Sequence, residues 1–231
     1  MTDPSPDTAP ALDALDVTIL DADVGNLGNL RRAVAHLGAR PTITRDPDVV
    51  ARGGRCLLLP GVGAFRPPRE ALRGALEDAV RGALDNGAWL LGICVGFQLL
   101  FEGSPEFGET DGLALLPGRV DRLPDGVILP HIGWNRLTPA DGRDAHPLLA
   151  GLGAAAYVYF VHSYAPPAAG PGAPPTDAVI ATAQHGASFV AVAGRGRVFG
   201  TQFHPEKSGR VGLRMLRNFL TMAAADEEIR T

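Results

Sequence analysis

Two short segments, far apart in the chain, hold residues that can do covalent chemistry. In Gly92-Ile93-Cys94-Val95-Gly96-Phe97-Gln98 a thiol sits between glycines placed two before and two after it. The apolar run Ala88-Trp89-Leu90-Leu91 leads into it. That spacing suits a sharp strand-to-helix turn, which holds a nucleophile in a strained conformation and tolerates only small neighbours. A helix starting near Val95 would aim its N-terminus at the sulfur and favour the thiolate. A free thiol has a pKa of about 8.5, so an imidazole is the usual activator. The second segment supplies one: the apolar-rich run Val198 to Phe203 ends in His204-Pro205-Glu206. Side chains two apart in an extended segment face the same way, so Glu206 can orient His204 and stabilise its imidazolium. The predicted triad is Cys94, His204 and Glu206, the equipment of a cysteine hydrolase or transferase.

A third segment, Pro60-Gly61-Val62-Gly63-Ala64-Phe65, follows a buried-looking strand. Two glycines there let backbone N–H groups approach a ligand and face a developing oxyanion. Cys56, inside Cys56-Leu57-Leu58-Leu59, reads as a small core residue. Lys207 is the sole lysine in the chain and stands directly after Glu206.

The elements that must position these groups follow from hydrophobic periodicity. The pattern predicts strands at Val17 to Leu20, Arg40 to Thr44, Cys56 to Leu59 and Trp89 to Ile93. Helices are predicted at Asn26 to Leu37, Arg69 to Leu84 and Val95 to Phe101, with a helical turn at Asp46 to Arg52. Alternating strands and helices imply a mostly parallel sheet flanked by helices, an α/β fold with Cys94 at the C-terminal edge of the strands. After Pro117 short strands follow one another: Gly118 to Leu123, Ala156 to Phe160, Ala178 to Thr182, Phe189 to Ala193 and Arg197 to Gln202. They predict an added, partly antiparallel region, closed by a helix from Gly209 to Ala224. Residues 1–15 and 225–231 are expected to be tails around one domain at 16–224, and the Pro/Ala-rich stretch from Ala165 to Pro175 an extended surface loop. With 231 residues, 45% hydrophobic and 20% charged, a single soluble globular domain is expected. The net charge of −4 gives no sign of nucleic acid binding. Two cysteines do not make a disulfide framework, no apolar run is long enough for a membrane span, and the first residues lack the pattern of a secretory signal, so a reducing cytoplasm is expected.

From Val17 to about Ala223 the chain resembles the class I, triad-type glutamine amidotransferases. The motifs around Cys94 and Phe203-His204-Pro205-Glu206-Lys207-Ser208 carry the class. Pro60 to Phe65, Pro130-His131-Ile132-Gly133-Trp134-Asn135 and Phe160-Val161-His162-Ser163-Tyr164 are similar to glutaminase subunits of imidazole glycerol phosphate synthase. The resemblance implies attack of Cys94 on the side-chain amide of glutamine, a γ-glutamyl thioester, and release of ammonia to a separate (β/α)₈-barrel cyclase subunit in histidine biosynthesis. It implies oxyanion contacts from Val62, Gly63 and Val95, and substrate contacts from Gly61, Gln98, Ser163 and Tyr164. It puts Lys207, Trp134, Tyr159 and Asn26 at the subunit interface, and implies no cofactor and no metal.

One departure concerns the first turn, where relatives read Asp-Tyr-Gly-x-Gly-Asn and this chain reads Asp21-Ala22-Asp23-Val24-Gly25-Asn26. An aromatic and a glycine are missing and Asp23 adds a charge. Three other readings compete. The chain could serve anthranilate, guanylate, carbamoyl phosphate or pyridoxal phosphate synthesis, but the Gly-Trp-Asn and Glu-Lys-Ser motifs favour the histidine pathway. An inactive binding relative would be expected to lack a triad member. A cysteine peptidase would not be expected to carry the Gln98 and Tyr164 motifs of a small-amide site.

Overall fold

The computed structural model describes residues 12–23, 25–53 and 55–228. Four strands in the first part of the chain are β1 (Asp16–Leu20), β2 (Arg40–Thr44), β3 (Cys56–Gly61) and β4 (Trp89–Cys94). Later come β5 (His131–Arg136), β6 (Thr138–Pro139), β7 (Tyr157–His162), β8 (Val179–His185), β9 (Ala187–Arg195) and β10 (Val198–Thr201). Eight of these form one sheet in the order β2-β1-β3-β4-β10-β9-β8-β6. The pairings from β2 through β10 are parallel, and those from β10 to β6 antiparallel. The expected α/β architecture is therefore present. β3 is buried along its whole length and β4 nearly so, which is why both read as continuous apolar runs. The register sets Gly61 opposite Cys94 and Thr201 opposite Ile93, so the nucleophile and the approach to His204 share one edge of the sheet.

The helices are α1 (Leu27–His36), α2 (Pro47–Arg52), α3 (Arg66–Leu72), α4 (Ala75–Asp85), α5 (Val95–Gln98) and α6 (Gly209–Glu228). The single helix expected from Arg69 to Leu84 is two, separated at Arg73-Gly74, where Gly74 takes φ +79°. Leu72, Leu76 and Val80 are buried on both sides of the break, so periodicity could not report it. α5 stops at Gln98 rather than Phe101. The carbonyls of Leu99 and Leu100 accept instead from Leu113 and Leu116 N–H, so the loop at 113–116 takes the bonds a longer helix would use. Of the strand expected at Gly118 to Leu123, only Asp121–Arg122 pairs, with Tyr164–Ala165.

The expected tails are shorter where they can be seen. Met1–Ala11 lie outside the described residues, but Leu12 and Leu15 are buried in the core and Leu15 O accepts from Arg40 N–H. At the other end α6 continues through residues 225–228. Asp226 anchors that turn, accepting from Trp89 Nε1 at 3.3 Å and Arg197 Nε at 2.9 Å. No helix among the described residues is long and apolar enough to cross a membrane.

Outside the main sheet, β5 and β7 form an antiparallel ribbon in which His131 faces His162 and Trp134 faces Tyr159. Sequence periodicity missed β5. Its glycine and exposed aromatic belong to a strand with one open face, on which Ile132 and Trp134 are 61% and 57% exposed.

Candidate active site

Cys94 ends β4 with φ +57° and ψ −111°, a conformation that costs a non-glycine residue about 1–3 kcal/mol and must be imposed by its surroundings. The flanking glycines impose it through close approach. A Cβ on Gly96 would lie 1.8 Å from Leu59 O, and one on Gly92 2.6 Å from Gly96 O. Gly61 belongs to the same packing: its Cβ would meet Gly96 N at 2.7 Å. It therefore backs the turn rather than lining the cavity, in contrast to its expected place as a substrate contact. β3, β4 and α5 are thus pressed backbone to backbone, which fixes the direction of the thiol.

His204 follows β10 and is 2% exposed. Its Nδ1 lies 2.9 Å from Glu206 Oε1, and the Glu206 side chain is 3% exposed. The backbone around His204 is tied to the ribbon. His204 N–H donates to Tyr159 O at 3.2 Å, Tyr159 N–H donates to Ser208 Oγ at 2.9 Å, and the Ser208 hydroxyl donates to His204 O at 2.7 Å. Among the described residues, two buried side-chain polar atoms have no hydrogen-bond partner, His204 Nε2 and Glu206 Oε2. A buried orphan nitrogen is costly unless it has work to do, and this one is free to exchange a proton with a reacting group. Burial acts against a charged His204. Cys94 and Glu206 outweigh it and raise the pKa to about 9, so the imidazolium is favoured beside the sulfur.

Cys94 and His204 open on one cavity of about 110 Å³, lined also by Val62, Gly63, Val95, Gln98, Glu106, Val161, His162, Ser163 and Tyr164. Gly63 holds φ +85° at its mouth, a position that L side chains rarely adopt. All the expected oxyanion and substrate residues except Gly61 meet here. Gln98 also serves the fold, since its Nε2 donates to Tyr164 O at 2.8 Å and Gln202 Oε1 at 3.2 Å. Gln202 in turn directs Nε2 at Cys94 Sγ over 3.9 Å.

Glu106 was not expected. It belongs to the hairpin joining Gly103–Ser104 to Thr110–Asp111 and accepts from Phe65 N–H at 2.8 Å. Burial pushes its carboxyl pKa up, and the Phe65 bond opposes this. No spacing to Cys94 or His204 marks it in the sequence.

The expected interface residues gather on one side. Trp134 and Tyr159 pack edge to face at 6.2 Å between ring centroids. The Trp134 ring lies beside Gly209, two residues from the exposed Lys207. Asn26 immediately precedes α1, which packs on the Pro205–Lys207 turn. In the first turn Asp23 takes φ +62°, the left-handed region that favours glycine and, among other residues, Asp and Asn. Its N–H donates to Asp21 Oδ1 at 3.1 Å, and Arg45 bridges both carboxylates.

The glutamine amidotransferase class-I family matches residues 18–223. The chain belongs to this family. It is 45% identical over 222 residues to imidazole glycerol phosphate synthase subunit HisH of Salinibacter ruber, covering 93% of this chain and 98% of that protein. It is 47% identical over 204 residues to the same subunit of Symbiobacterium thermophilum, covering 88% and 92%. These identities place it with the HisH subunits. Solved structures share the fold: a glutamine amidotransferase (TM-score 0.68, 24% identity, 90% of this chain and 98% of that one) and PurLQS from Thermotoga maritima (TM-score 0.69, 19% identity, 90% and 98%).

Proposed function

We propose that this amidotransferase hydrolyses glutamine through a thioester on Cys94 and passes the ammonia to the cyclase subunit of imidazole glycerol phosphate synthase in the cytoplasm. The observation that carries the reading is the state of His204: Nδ1 held by Glu206, Nε2 buried without a partner, and Cys94 on the same cavity wall. Cys94 Sγ, its proton held by His204, attacks the side-chain amide carbon. The carbonyl π pair moves onto oxygen, where the N–H groups of Val62, Gly63 and Val95 accept the charge. Collapse breaks the C–N bond while His204 protonates the departing nitrogen, and ammonia leaves. Water then attacks the γ-glutamyl thioester, giving its proton to His204, and glutamate leaves as the sulfur departs.

Glu106 is the carboxylate on the cavity wall and suits the substrate's α-ammonium. Gln98, Ser163 and Tyr164 supply the remaining wall. Trp134, Tyr159, Lys207 and Asn26 supply the docking face for the cyclase barrel, supported by the exposure of Ile132 and Trp134 beside the single lysine. The test is glutamate release from glutamine by the purified chain, with and without the cyclase subunit and its nucleotide ligand. The expected outcome is low activity alone, strong stimulation by the partner, and loss of about three orders of magnitude or more in Cys94→Ala. Full activity without a partner effect would overturn the assignment to this synthase, and full activity in Cys94→Ala would overturn the thioester.

A further inference from the structure

Neither His131 nor His162 has a part in the mechanism above, yet both are buried, 6% exposed each. They come from opposite strands of the ribbon, and His131 Nδ1 lies 3.1 Å from His162 Nε2. The two ends of this contact are fixed by groups that cannot change role. His162 Nδ1 lies 2.9 Å from Tyr164 O, and a carbonyl only accepts, so Nδ1 carries the hydrogen. Neutral His162 then has its lone pair on Nε2, and His131 Nδ1 must donate to it. That leaves His131 Nε2 as an acceptor, 3.3 Å from Asn135 Nδ2. The orientation of Asn135 is fixed in turn, because its Oδ1 accepts from Arg136 N–H at 2.8 Å and its Nδ2 donates to Gln184 O at 2.8 Å.

We infer that His131 and His162 are positioning residues: a one-way relay of neutral imidazoles that runs from Asn135 on the ribbon to Tyr164 O and holds the Ser163–Tyr164 cavity wall in its substrate-binding geometry. The inference rests on the glutaminase reading above. Tyr164 O is the carbonyl that also accepts from Gln98, so both donors fix one stretch of wall. The relay has no place for an added proton. A proton on either imidazole sets donor against donor at His162, His131 or Asn135. The surroundings discourage one as well. The charges that bear on His162 are those of His131, His185 and His204, and His185 stacks on His131 at 4.2 Å between centroids. Burial and then these imidazoles depress both pKa values, to about 4 for His131 and about 3 for His162. A neutral His162 also leaves the His204 imidazolium without a like charge across the cavity.

Two measurements test the relay. The ¹⁵N imidazole spectrum of the full-length chain at pH 7 should show both residues neutral with the hydrogen on Nδ1. A hydrogen on Nε2, or a cation, at either residue would overturn the relay whatever the enzyme does. Kinetics on the chain with its cyclase subunit then compare two changes at one position. His162→Phe keeps the volume and loses the donor, and should raise KM for glutamine about tenfold with kcat within about threefold. His162→Asn loses volume and keeps an N–H near Tyr164 O, and should hold KM within about threefold of the parent. The reverse order, with Phe tolerated and Asn not, would make the ring a packing element and sink the inference. A parent enzyme that releases no glutamate would instead overturn the glutaminase reading, while the tautomers still decide the relay. The spectrum also decides it if His162→Phe does not fold.

Discussion

The nucleophile and its base are held by opposite means. Around Cys94, the turn is fixed by contact between glycine backbones of β3, β4 and α5, with one polar side chain, Gln202, reaching Sγ at 3.9 Å. Around His204, position comes from bonds among Tyr159, Ser208 and Glu206, beside a ribbon whose own histidines are hydrogen-bonded. The steric half is indifferent to pH and has one solution. The polar half depends on protonation and on a ribbon with an open face. On the function proposed above, a partner docked at the ribbon would act on the polar half while the thiol stays aimed.

The largest effect should come from breaking the steric half. Gly96→Ala puts a methyl 1.8 Å from Leu59 O, backbone that can move only by shifting β3. Overpacking of this kind costs typically 1–3 kcal/mol and more where backbone must yield, so a loss of about 3 kcal/mol or failure to fold is expected. Chemical denaturation measures it. A Gly96→Ala chain of parental stability would show that the close packing has slack.

Acid should separate the halves next. The folded pKa of His162 is depressed to about 3 from an ordinary value near 6.5, so the unfolded chain binds more protons between these values. Stability from this group is present above pH 6.5 and is lost as pH drops through 3, by about 5 kcal/mol at most. His204 behaves oppositely. Its pKa is raised to about 9, so its contribution is full below pH 6.5 and lost as pH rises through 9. Denaturation midpoints between pH 4 and 9.5 should therefore peak near 6.5, and His162→Asn should make the acid side alone shallower, with His131 keeping part of its slope.

Glu206→Gln sharpens the comparison without disturbing packing. The amide is isosteric but uncharged, so the His204 pKa should fall, part of the stability that His204 contributes below pH 6.5 should go with it, and glutamine hydrolysis should drop by about 10²-fold. Nδ1 and Nε2 shifts of His204 report the first and glutamate release the second. Unchanged turnover would remove Glu206 from the proton chemistry.

How much of this was legible in the sequence follows the same division. Gly92 and Gly96 could be read because close backbone approach requires glycine, and β3 and β4 because burial on both faces writes an unbroken apolar run. The triad could be read because Cys94 ends β4 and His204 follows closely after β10, although Glu206 lies in the Pro205–Lys207 turn and not in the extended segment that its spacing predicted. Glu106 could not, since its place beside Phe65 depends on a hairpin and carries no spacing signal. The pairing of His131 with His162 depends on the register between two strands 31 positions apart, which no local pattern records. The break at Gly74 was hidden because Leu72, Leu76 and Val80 keep their helical rhythm across it.

Asp23 offers the smallest and most local test. The first turn carries Asp at a position with φ +62°, a conformation that favours glycine. Asp is one of the few residue types that visits this region, and Arg45 reaches Asp23 and Asp21 together. Asp23→Ala keeps the Cβ and the N–H bond to Asp21 but loses the Arg45 pair, so it should cost about 1 kcal/mol. Asp23→Gly relieves the strain but frees the unfolded chain by a similar amount, so the two should offset to within about 0.5 kcal/mol. A larger loss in the glycine variant than in the alanine one would mean that φ +62° carries little strain here, since both variants lose the carboxylate.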